Sequence, residues 1–289
     1  MARTSAPLGS RQAVPRLRRG TRRLRGSAGD WLEIRAGAAA VSLERGRGDV
    51  PDARRRRPHL SPRTMPAPRD VARRAVFVTG GTGYVGRALI SALVARGHGV
   101  RALARPASLG HLPAGCTPVA GDALDRTTYA HHVRAGDTVV HLVGTPHPSP
   151  RKAQEFERVD LGSVREAAAA ARAARAAHFV YVSVAHPAPV MRAYVDARVR
   201  GETLVRASGV PATILRPWYV LGPGHRWPYA LLPLYWVLAR VPATRAGARR
   251  LGLVTLREMV AALVEAVERP TAGGRVVDVE EIRKVGSRE

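Results

Sequence analysis

A glycine-rich turn, Thr79–Gly86, constrains the fold of this chain more than any other part of its sequence. It follows the continuous apolar run Val76–Val78, which is typical of a strand buried on both faces of a sheet. It opens the segment Tyr84–Arg96, where apolar residues recur at helical spacing. The glycines of the pattern are Gly80, Gly83 and Gly86. The sequence therefore predicts a buried strand that leads into an amphipathic helix through a tight turn.

The spacing of these glycines is typical of a turn that binds the phosphates of a dinucleotide. The first glycine permits the tight turn, the second lets the backbone approach the pyrophosphate, and the third lets helix and strand pack closely. The helix N-terminus adds free N–H groups and the positive end of the helix dipole. Because strand and helix flank the motif in the required order, we interpret it as a site for NADP(H) or NAD(H).

The ends of the later strands complete the predicted cofactor site. Asp122 can reach an adenine amino group, although an aspartate that only shapes its own turn is an almost equal alternative. Gly144 ends the fourth predicted strand, where a small residue leaves room for the cofactor. The predicted cofactor contacts are Gly80, Thr82, Gly83, Tyr84, Val85, Gly86, Arg105, Asp122, Ala123, Leu142 and Gly144.

The second predicted strand, Val100–Leu103, decides between the two cofactors. An acidic residue about 20 positions after the glycines would accept a hydrogen bond from the ribose 2′-hydroxyl of NAD(H). No acid lies there, and Arg105 stands at the strand end instead. Charge-assisted hydrogen bonds from an arginine favour a 2′-phosphate, so we expect NADP(H) to be preferred over NAD(H). A chance arginine is the alternative, because only two of the 47 basic residues are lysines.

Short β-branched runs alternate with Ala-rich helical stretches after the first strand, which predicts an α/β fold with a doubly wound parallel sheet of the Rossmann type. The predicted strands are Val76–Val78, Val100–Leu103, Val119–Ala120, Thr138–Val143, Phe179–Val184 and Ala212–Leu215, with a last one at Gly274–Val279. We assign residues 65–221 to the cofactor-binding domain. Residues 222–289 are predicted to form a small substrate lobe, with a last helix and strand that pack on the same domain.

Residues 1–64 read as a disordered basic arm, because they contain 16 arginines and five acids among scattered prolines and glycines. Three interpretations stay open. The segment could bind nucleic acid or anionic lipid, or it could be a targeting peptide. It could also reflect a mis-assigned start, with Met65 as the first residue of the native protein, and this is the interpretation we favour.

The formal net charge of +25 does not by itself indicate a nucleic-acid partner. Arginine together with abundant alanine, glycine and proline is typical of GC-rich coding, so no specific nucleic acid is expected. The single cysteine, Cys116, excludes an internal disulfide and fits a reducing, cytoplasmic setting. The histidines have no metal-ligand spacing, and no apolar stretch of about 18 residues suggests a transmembrane helix. Peripheral membrane contact through residues 222–250 is a weaker alternative.

Several motifs that follow the glycine turn carry a family resemblance. They are Gly121-Asp122, His141–Gly144, Val180–Ser183 and Leu215–Pro217. Together with the turn, and over about residues 75–282, they resemble the extended and atypical short-chain dehydrogenase/reductase superfamily, including its NAD-dependent epimerase/dehydratase-like members. The resemblance implies a nicotinamide cofactor that lies across the strand ends and a substrate lobe built from the C-terminal part.

The resemblance also implies a catalytic set, and here the chain departs from the family pattern. The family uses a Tyr-x-x-x-Lys pair, with the tyrosine as acid or base, and a nearby serine. In this chain Tyr194 is followed by Arg198, and Val184 stands at the serine position with Ser183 beside it. We therefore expect Tyr194, Arg198 and Ser183 to form a modified catalytic set. The alternative is a tyrosine packed near the cofactor, with the arginine on phosphate or ribose, since arginine and lysine are not equivalent.

The segment after the sixth predicted strand is expected to contact the substrate. Its candidate residues are Trp218, Tyr219, His225 and Trp227. Such an aromatic lining suits a small hydrophobic substrate, so we expect hydride transfer between nicotinamide and a hydrophobic carbonyl or sugar-like carbon. Epimerisation or dehydration is a variant of that chemistry. The alternative function is a non-catalytic NADP(H)-binding sensor, or a structural subunit resembling the nucleotide-binding accessory subunit of respiratory complex I.

Overall fold

Short parallel strands form the centre of the molecule, as the continuous apolar runs predict. The structure is a computed structural model that describes residues 72–222, 247 and 250–288. Its strands are β1 (Ala75–Thr79), β2 (Gly99–Ala104), β3 (Thr117–Ala120), β4 (Thr138–His141), β5 (His178–Val182), β6 (Ala212–Leu215), β7 (Tyr219–Leu221), β8 (Leu253–Thr255) and β9 (Gly274–Val277).

The main sheet has seven parallel strands in the order β3-β2-β1-β4-β5-β6-β9, while β7 and β8 pair separately. The strand order reverses between β1 and β4, and doubly wound sheets bind their ligands at the carboxyl ends of the strands at such a point. The register sets Thr79, the last residue of β1, beside Leu103 of β2 and His141 of β4. The predicted Rossmann-type fold is confirmed.

Helices cover both faces of this sheet. They are α1 (Tyr84–Ala95), α2 (Ala153–Glu155), α3 (Gly162–Ala173), α4 (Arg192–Ala207), α5 (Leu256–Glu268) and α6 (Val279–Gly286), and a π-helical segment, Phe156–Leu161, joins α2 to α3. Strand β1 illustrates the two-sided core, because successive side chains point to opposite faces. Val76 and Val78 pack with the residues of α1 and α5, whereas Phe77 packs with those of α3 and α4.

The observed elements differ from the predicted ones mainly at their ends. The Ala-rich sequence from Glu155 to Ala177 is typical of one long helix, but it is interrupted by the π-helical segment and the helix stops at Ala173. The last strand stops at Val277, because Asp278 accepts a hydrogen bond from Glu281 N–H and caps α6. A capping box begins α5, since Thr255 and Glu258 each accept from the other's backbone N–H; the sequence Thr255-Leu256-Arg257-Glu258 has the spacing of this motif. The division of the chain at residues 64 and 221 stays a prediction, and residues 1–64 lie outside the described ranges.

Two histidines are buried in the sheet, and no acidic side chain among the described residues is within hydrogen-bond distance of either. On β4, the His141 ring nitrogens lie 2.8 Å from Thr79 Oγ1 and 3.2 Å from Ser163 Oγ. Burial, with a smaller contribution from the charge of Arg198, lowers the pKa of His141 from 6.5 to about 3. On β5, burial likewise lowers the pKa of His178 to about 4. Both imidazoles are therefore neutral in the folded protein at pH 5.

These histidines should make the fold sensitive to acid. In the unfolded chain they bind protons below about pH 6.5, whereas the folded chain excludes those protons until about pH 4 or 3. The unfolded state then binds more protons, so stability falls as the pH drops through this window. Between pH 6 and pH 5 we expect the free energy of unfolding to fall by about 1 kcal/mol for each histidine. Urea unfolding at both pH values measures the loss in the free energy of unfolding. NMR titration of the imidazole resonances shows whether the loss comes from His141 and His178. Imidazole resonances of His141 and His178 that titrate near pH 6.5 would contradict it.

Candidate functional site

The glycine turn has a conformation that side chains would prevent. Gly80 has φ +77°, and a Cβ built there would lie 2.8 Å from the carbonyl carbon of Leu142. A Cβ on Gly86 would lie 2.2 Å from Gly80 O, where no atom fits. Gly83 N–H donates to Gly80 O at 3.1 Å and closes the turn. The first and third glycines thus hold the turn against β4 and α1, as their positions in the motif predict.

The helix that follows this turn offers an anion site. Helix α1 has Gly83 as its N-cap, with no side-chain capping hydrogen bond and no acidic residue in its first turn. The first N–H groups of an α-helix have no partner within the helix, and the positive end of the helix dipole favours an anion at this point. Thr82 is partly accessible and Gly83 is exposed at this point. A close-approach turn joined to an uncapped helix end fits the pyrophosphate of a dinucleotide.

The end of β2 lies next to the turn and carries an exposed arginine. Because Thr79 pairs with Leu103, the chain leaves β2 beside the point where β1 enters the turn. Arg105 is exposed there and caps the 3₁₀ helix Pro106–His111 in an extended backbone conformation. At this place a guanidinium could contact a 2′-phosphate.

Asp122, beyond β3, shapes its own loop. Its Oδ1 accepts from the backbone N–H of Leu124 at 2.9 Å, and its backbone N–H is 2.9 Å from Thr128 Oγ1. This is the turn role that the sequence left as an alternative. Asp122 is exposed, and Ala123 beside it is partly exposed, so the loop could still line an adenine site.

Tyr194 and Arg198 lie one helical turn apart on α4 and stack on one another, as their spacing predicts. The Arg198 Cζ atom lies 5.3 Å from the centroid of the Tyr194 ring. The ring of Phe156 packs against the same tyrosine edge-on, with centroids 5.1 Å apart. Tyr194 is therefore held between an aromatic ring and a cation, and it remains partly accessible.

Arg198 itself is buried, with a side chain only 7% exposed. Its Nη2 lies 2.7 Å from Asp160 Oδ1, and its Nη1 donates to the carbonyl of Val182 at 3.0 Å. Burial opposes the charge, yet the neighbouring Tyr194, Tyr181 and Asp160 together raise the pKa of Arg198 above its ordinary value. Gly144 lies against this guanidinium, since a Cβ there would be 2.1 Å from Arg198 Nη2. The missing side chain of Gly144 thus makes room for Arg198.

The structure does not bring Ser183 to Tyr194. The Ser183 hydroxyl is buried and donates to Glu202 Oε1 at 2.7 Å, and the same carboxylate binds Arg206 and Arg216. Several hydrogen bonds, with those from Arg216 and Ser183 the largest, lower the pKa of Glu202 against the effect of burial. The expectation of a catalytic Ser183 therefore has no geometric support. Side chains alternate along the strand direction, and Val184 is the one that faces the candidate site.

A cavity of about 420 Å³ joins the glycine turn to Tyr194. Its walls are Tyr84, Val85, His147, Pro148, Val184, Met191, Tyr194, Trp218, Tyr219 and Val220. The cofactor, catalytic and substrate predictions therefore meet in one place. The predicted substrate residues His225 and Trp227 lie outside the described residues. A larger cavity of about 450 Å³ lies near His186, Arg216 and Asp278, but no predicted cofactor or catalytic residue lines it.

Sequence reasoning missed two residues that hold this site, Phe156 and Asp160. Both lie in the π-helical segment, and both are completely buried. A signal was present, because Asp160 stands between Phe156 and Val164 at intervals of four residues on an otherwise apolar stripe. An acid in the middle of such a stripe is buried, and a buried carboxylate needs a partner.

The comparisons with known proteins agree with this geometry. A sequence profile of the NAD(P)H-binding family matches residues 80–226, which run from the first glycine of the turn to beyond Trp218 and Tyr219. The chain is a member of this NAD(P)H-binding family. It is 31% identical to the ceramide reductase of Caulobacter vibrioides over 224 residues, which cover 74% of this chain and 67% of that protein.

One further relative and one solved structure were also similar to this chain. Over 168 residues the chain is 32% identical to a 4-hydroxy-2-methyl-3-oxo-4-farnesyl-3,4-dihydroquinoline-1-oxide ketoreductase of Stigmatella aurantiaca, covering 50% of each protein. The solved structure of the Bordetella bronchiseptica enzyme WbmH in complex with NAD+ superposes with a TM-score of 0.54 at 21% identity. That superposition covers 74% of this chain and 79% of WbmH, and it supports the fold alone.

This member of the NAD(P)H-binding family is an NAD(P)-binding, oxidoreductase-like protein that takes a nicotinamide cofactor. The curated relatives named above are reductases, which gives no support to the non-catalytic alternative. Among the described residues, no group of three or more histidine, cysteine or acidic side chains could hold a metal ion. No helix in those same ranges is long and apolar enough to cross a membrane.

Proposed function

We propose that this protein reduces the carbonyl group of a small hydrophobic molecule with NADPH. The observation that carries the proposal is the cavity of about 420 Å³, whose walls combine residues of the cofactor turn and helix, Tyr84 and Val85, with Tyr194 and the aromatic pair Trp218 and Tyr219. Apolar and aromatic walls favour a hydrophobic substrate over a sugar. The names of two relatives, a ceramide reductase and a farnesyl-bearing quinoline ketoreductase, point to the same class.

When bound, the reduced nicotinamide supplies the hydride that goes to the carbonyl carbon. Tyr194 donates its phenolic proton to the carbonyl oxygen, so that the products are an alcohol and the oxidised cofactor. The positive charge of Arg198, 5.3 Å from the Tyr194 ring centroid, stabilises the phenolate that remains. Val184, Trp218 and Val220 exclude water from the reacting carbonyl, which strengthens these electrostatic interactions.

NADPH oxidation followed at 340 nm tests the substrate class. The full chain is incubated with NADPH and either benzil, an aromatic diketone, or 2-decanone, a linear alkyl ketone. A sugar nucleotide, UDP-galactose, serves as the contrasting substrate. Turnover of at least one ketone, with no conversion of the sugar nucleotide, supports the proposal. Conversion of UDP-galactose alone, or NADPH binding without oxidation in every mixture, would overturn it and favour an epimerase or a binding protein.

Arg105 is proposed to select NADPH over NADH. Hydrogen bonds to a charged group contribute about 1.5–3 kcal/mol, so Arg105→Ala should weaken NADPH binding by about 10- to 100-fold. NADH lacks the 2′-phosphate, so its affinity should change by less than about twofold. Energy transfer from tryptophan to the reduced nicotinamide measures both dissociation constants.

Arg172→Ala is the matched control for this experiment. Arg172 is exposed in the last turn of α3. Because α3 leads to the start of β5, this turn lies at the amino ends of the strands, whereas the glycine turn lies at their carboxyl ends. The removal of Arg172 also deletes one surface arginine but should leave both affinities unchanged. If Arg105→Ala binds NADPH as tightly as the parent protein, the assignment of Arg105 is wrong.

A further inference from the structure

A buried ion pair connects two helical elements behind the candidate site. Asp160 is completely buried, and its Oδ1 lies 2.7 Å from Arg198 Nη2. Its other oxygen, Oδ2, accepts from the backbone N–H of Thr145 at 3.0 Å and from the Thr145 hydroxyl at 2.6 Å. The carboxylate is thus fixed to the loop after β4 by two hydrogen bonds. Its Oδ1 oxygen is left for the Arg198 guanidinium.

The position of Arg198 depends on this carboxylate. Among the described residues, Asp160 is the only acid within ion-pair distance of Arg198. The guanidinium also contacts the carbonyl of Val182 and the face of Tyr194, and it interacts with the Tyr181 hydroxyl, but none of these groups carries a full negative charge. A buried cation without a counter-charge is strongly unfavourable. Without Asp160, Arg198 would turn toward water and leave the tyrosine ring.

The π-helical segment contacts α4 through two pairs of side chains that have the same spacing on each element. Phe156 and Asp160 are four residues apart on the segment, and Tyr194 and Arg198 are four residues apart on α4. Phe156 packs on Tyr194, and Asp160 pairs with Arg198. One turn of the segment therefore holds both members of the proposed acid/base pair. π-helical turns inside helices are frequent at functional sites.

We propose that Asp160 is a positioning residue that acts through Arg198. It fixes the guanidinium beside Gly144 and against the Tyr194 ring, and the Asp160–Arg198 ion pair takes the place of the lysine of the Tyr-x-x-x-Lys pattern. This inference rests on the proposed function of Tyr194 and Arg198. It adds the residue that keeps the arginine charge where the phenolate forms.

Asp160→Asn tests the proposal, because it keeps the size of the side chain and removes its charge. We expect kcat for NADPH-dependent reduction of benzil to fall by about 10- to 100-fold, as expected of a displaced catalytic group. The dissociation constant of NADPH and the KM for benzil should change by less than about threefold. Thr145→Val, which removes only the hydroxyl donor to Asp160, is a milder second variant. It should lower kcat by about 3- to 10-fold even if Asp160→Asn folds poorly.

Glu157→Gln is the matched control. Glu157 lies in the same π-helical segment and pairs with Arg200 of the same helix α4, at 2.8 Å, but both side chains are more than half exposed. An exposed ion pair contributes little. Both the control and the parent protein should therefore give the same kcat, KM and melting temperature.

A double-mutant cycle with Arg198→Met separates positioning from general stability. If Asp160 acts through Arg198, Asp160→Asn should reduce kcat no further once Arg198 is gone. Independent, multiplicative losses would overturn the proposal.

A measurement that does not depend on catalysis tests this inference separately from the proposed function. NMR of the arginine Nη groups reports whether the Arg198 guanidinium rotates freely. It should be rotationally restricted in the parent protein and in Glu157→Gln, and mobile in Asp160→Asn. An Arg198 guanidinium that stays restricted in Asp160→Asn would overturn the positioning role. Absence of benzil and 2-decanone reduction by the parent protein, with Arg198 released in Asp160→Asn, would overturn only the proposed function.

Discussion

Tyr194→Phe is expected to lower kcat for ketone reduction by about 10²- to 10⁴-fold, the usual contribution of a positioned acid or base. The phenylalanine ring keeps the contacts with Phe156 and the Arg198 guanidinium, so the cavity should keep its shape. Only the proton that goes to the carbonyl oxygen is lost. NADPH affinity should stay within about threefold of the parent value, because the cofactor phosphates bind at the glycine turn. Rates of NADPH oxidation with benzil, together with tryptophan energy transfer for binding, measure the two quantities.

Tyr129→Phe is the control for this prediction. Tyr129 is a buried tyrosine, 1% exposed, that packs on Phe77 and does not line the cavity. Removing its hydroxyl should leave kcat unchanged. A kcat of Tyr194→Phe within about threefold of the parent protein would show that Tyr194 is not the acid, and that the helix tyrosine only packs near the cofactor.

Gly86→Ala is expected to weaken NADPH binding by about 100-fold or more. The new Cβ would lie 2.2 Å from Gly80 O and 3.0 Å from Gly81 Cα, and both atoms belong to the backbone of the turn. A backbone atom cannot move aside as a flexible side chain can, so the turn must open or α1 must shift. Either change displaces the N–H groups that would bind the pyrophosphate, and a 100-fold loss corresponds to about 2.7 kcal/mol.

Gly274→Ala shows whether such a loss is specific to the turn. Gly274 begins β9, and a Cβ there would meet no atom within 4 Å. This variant should bind NADPH as the parent protein does. Circular dichroism and thermal melting establish that both variants are folded. A folded Gly86→Ala protein that binds NADPH within about threefold of the parent value would contradict the assigned role of the turn.

The glycine turn illustrates what local sequence can predict. Its three glycines, the apolar strand before it and the amphipathic helix after it were all visible in the sequence, because strand and helix periodicity are local properties. The stack of Tyr194 on Arg198 follows in the same way from a spacing of four residues on one helix. The opposite directions of Ser183 and Val184 match the alternation expected of an extended chain, although β5 itself ends at Val182.

Asp160 illustrates what local sequence cannot predict. The periodicity from Glu155 onward indicated one continuous helix, but residues 156–161 adopt a π-helical turn. The preference for such a turn is not visible in the residue pattern. Gly144 also has a contact that the sequence did not indicate, while its predicted cofactor contact stays a prediction. The cofactor was the expected reason for its small size, whereas the contact that the structure describes is with Arg198.

The sequence by itself therefore determined the Rossmann-type sheet, the dinucleotide turn and the pairing of Tyr194 with Arg198, since each follows from spacings within one element or between neighbouring elements. Only the tertiary structure decided that the cavity joins the turn to Trp218 and Tyr219, that Ser183 binds Glu202, and that Asp160 pairs with Arg198. Asp160 and Arg198 are 38 positions apart in the sequence. Such contacts are set by how helices pack on the sheet and by the need of buried charges for partners, which no local pattern encodes.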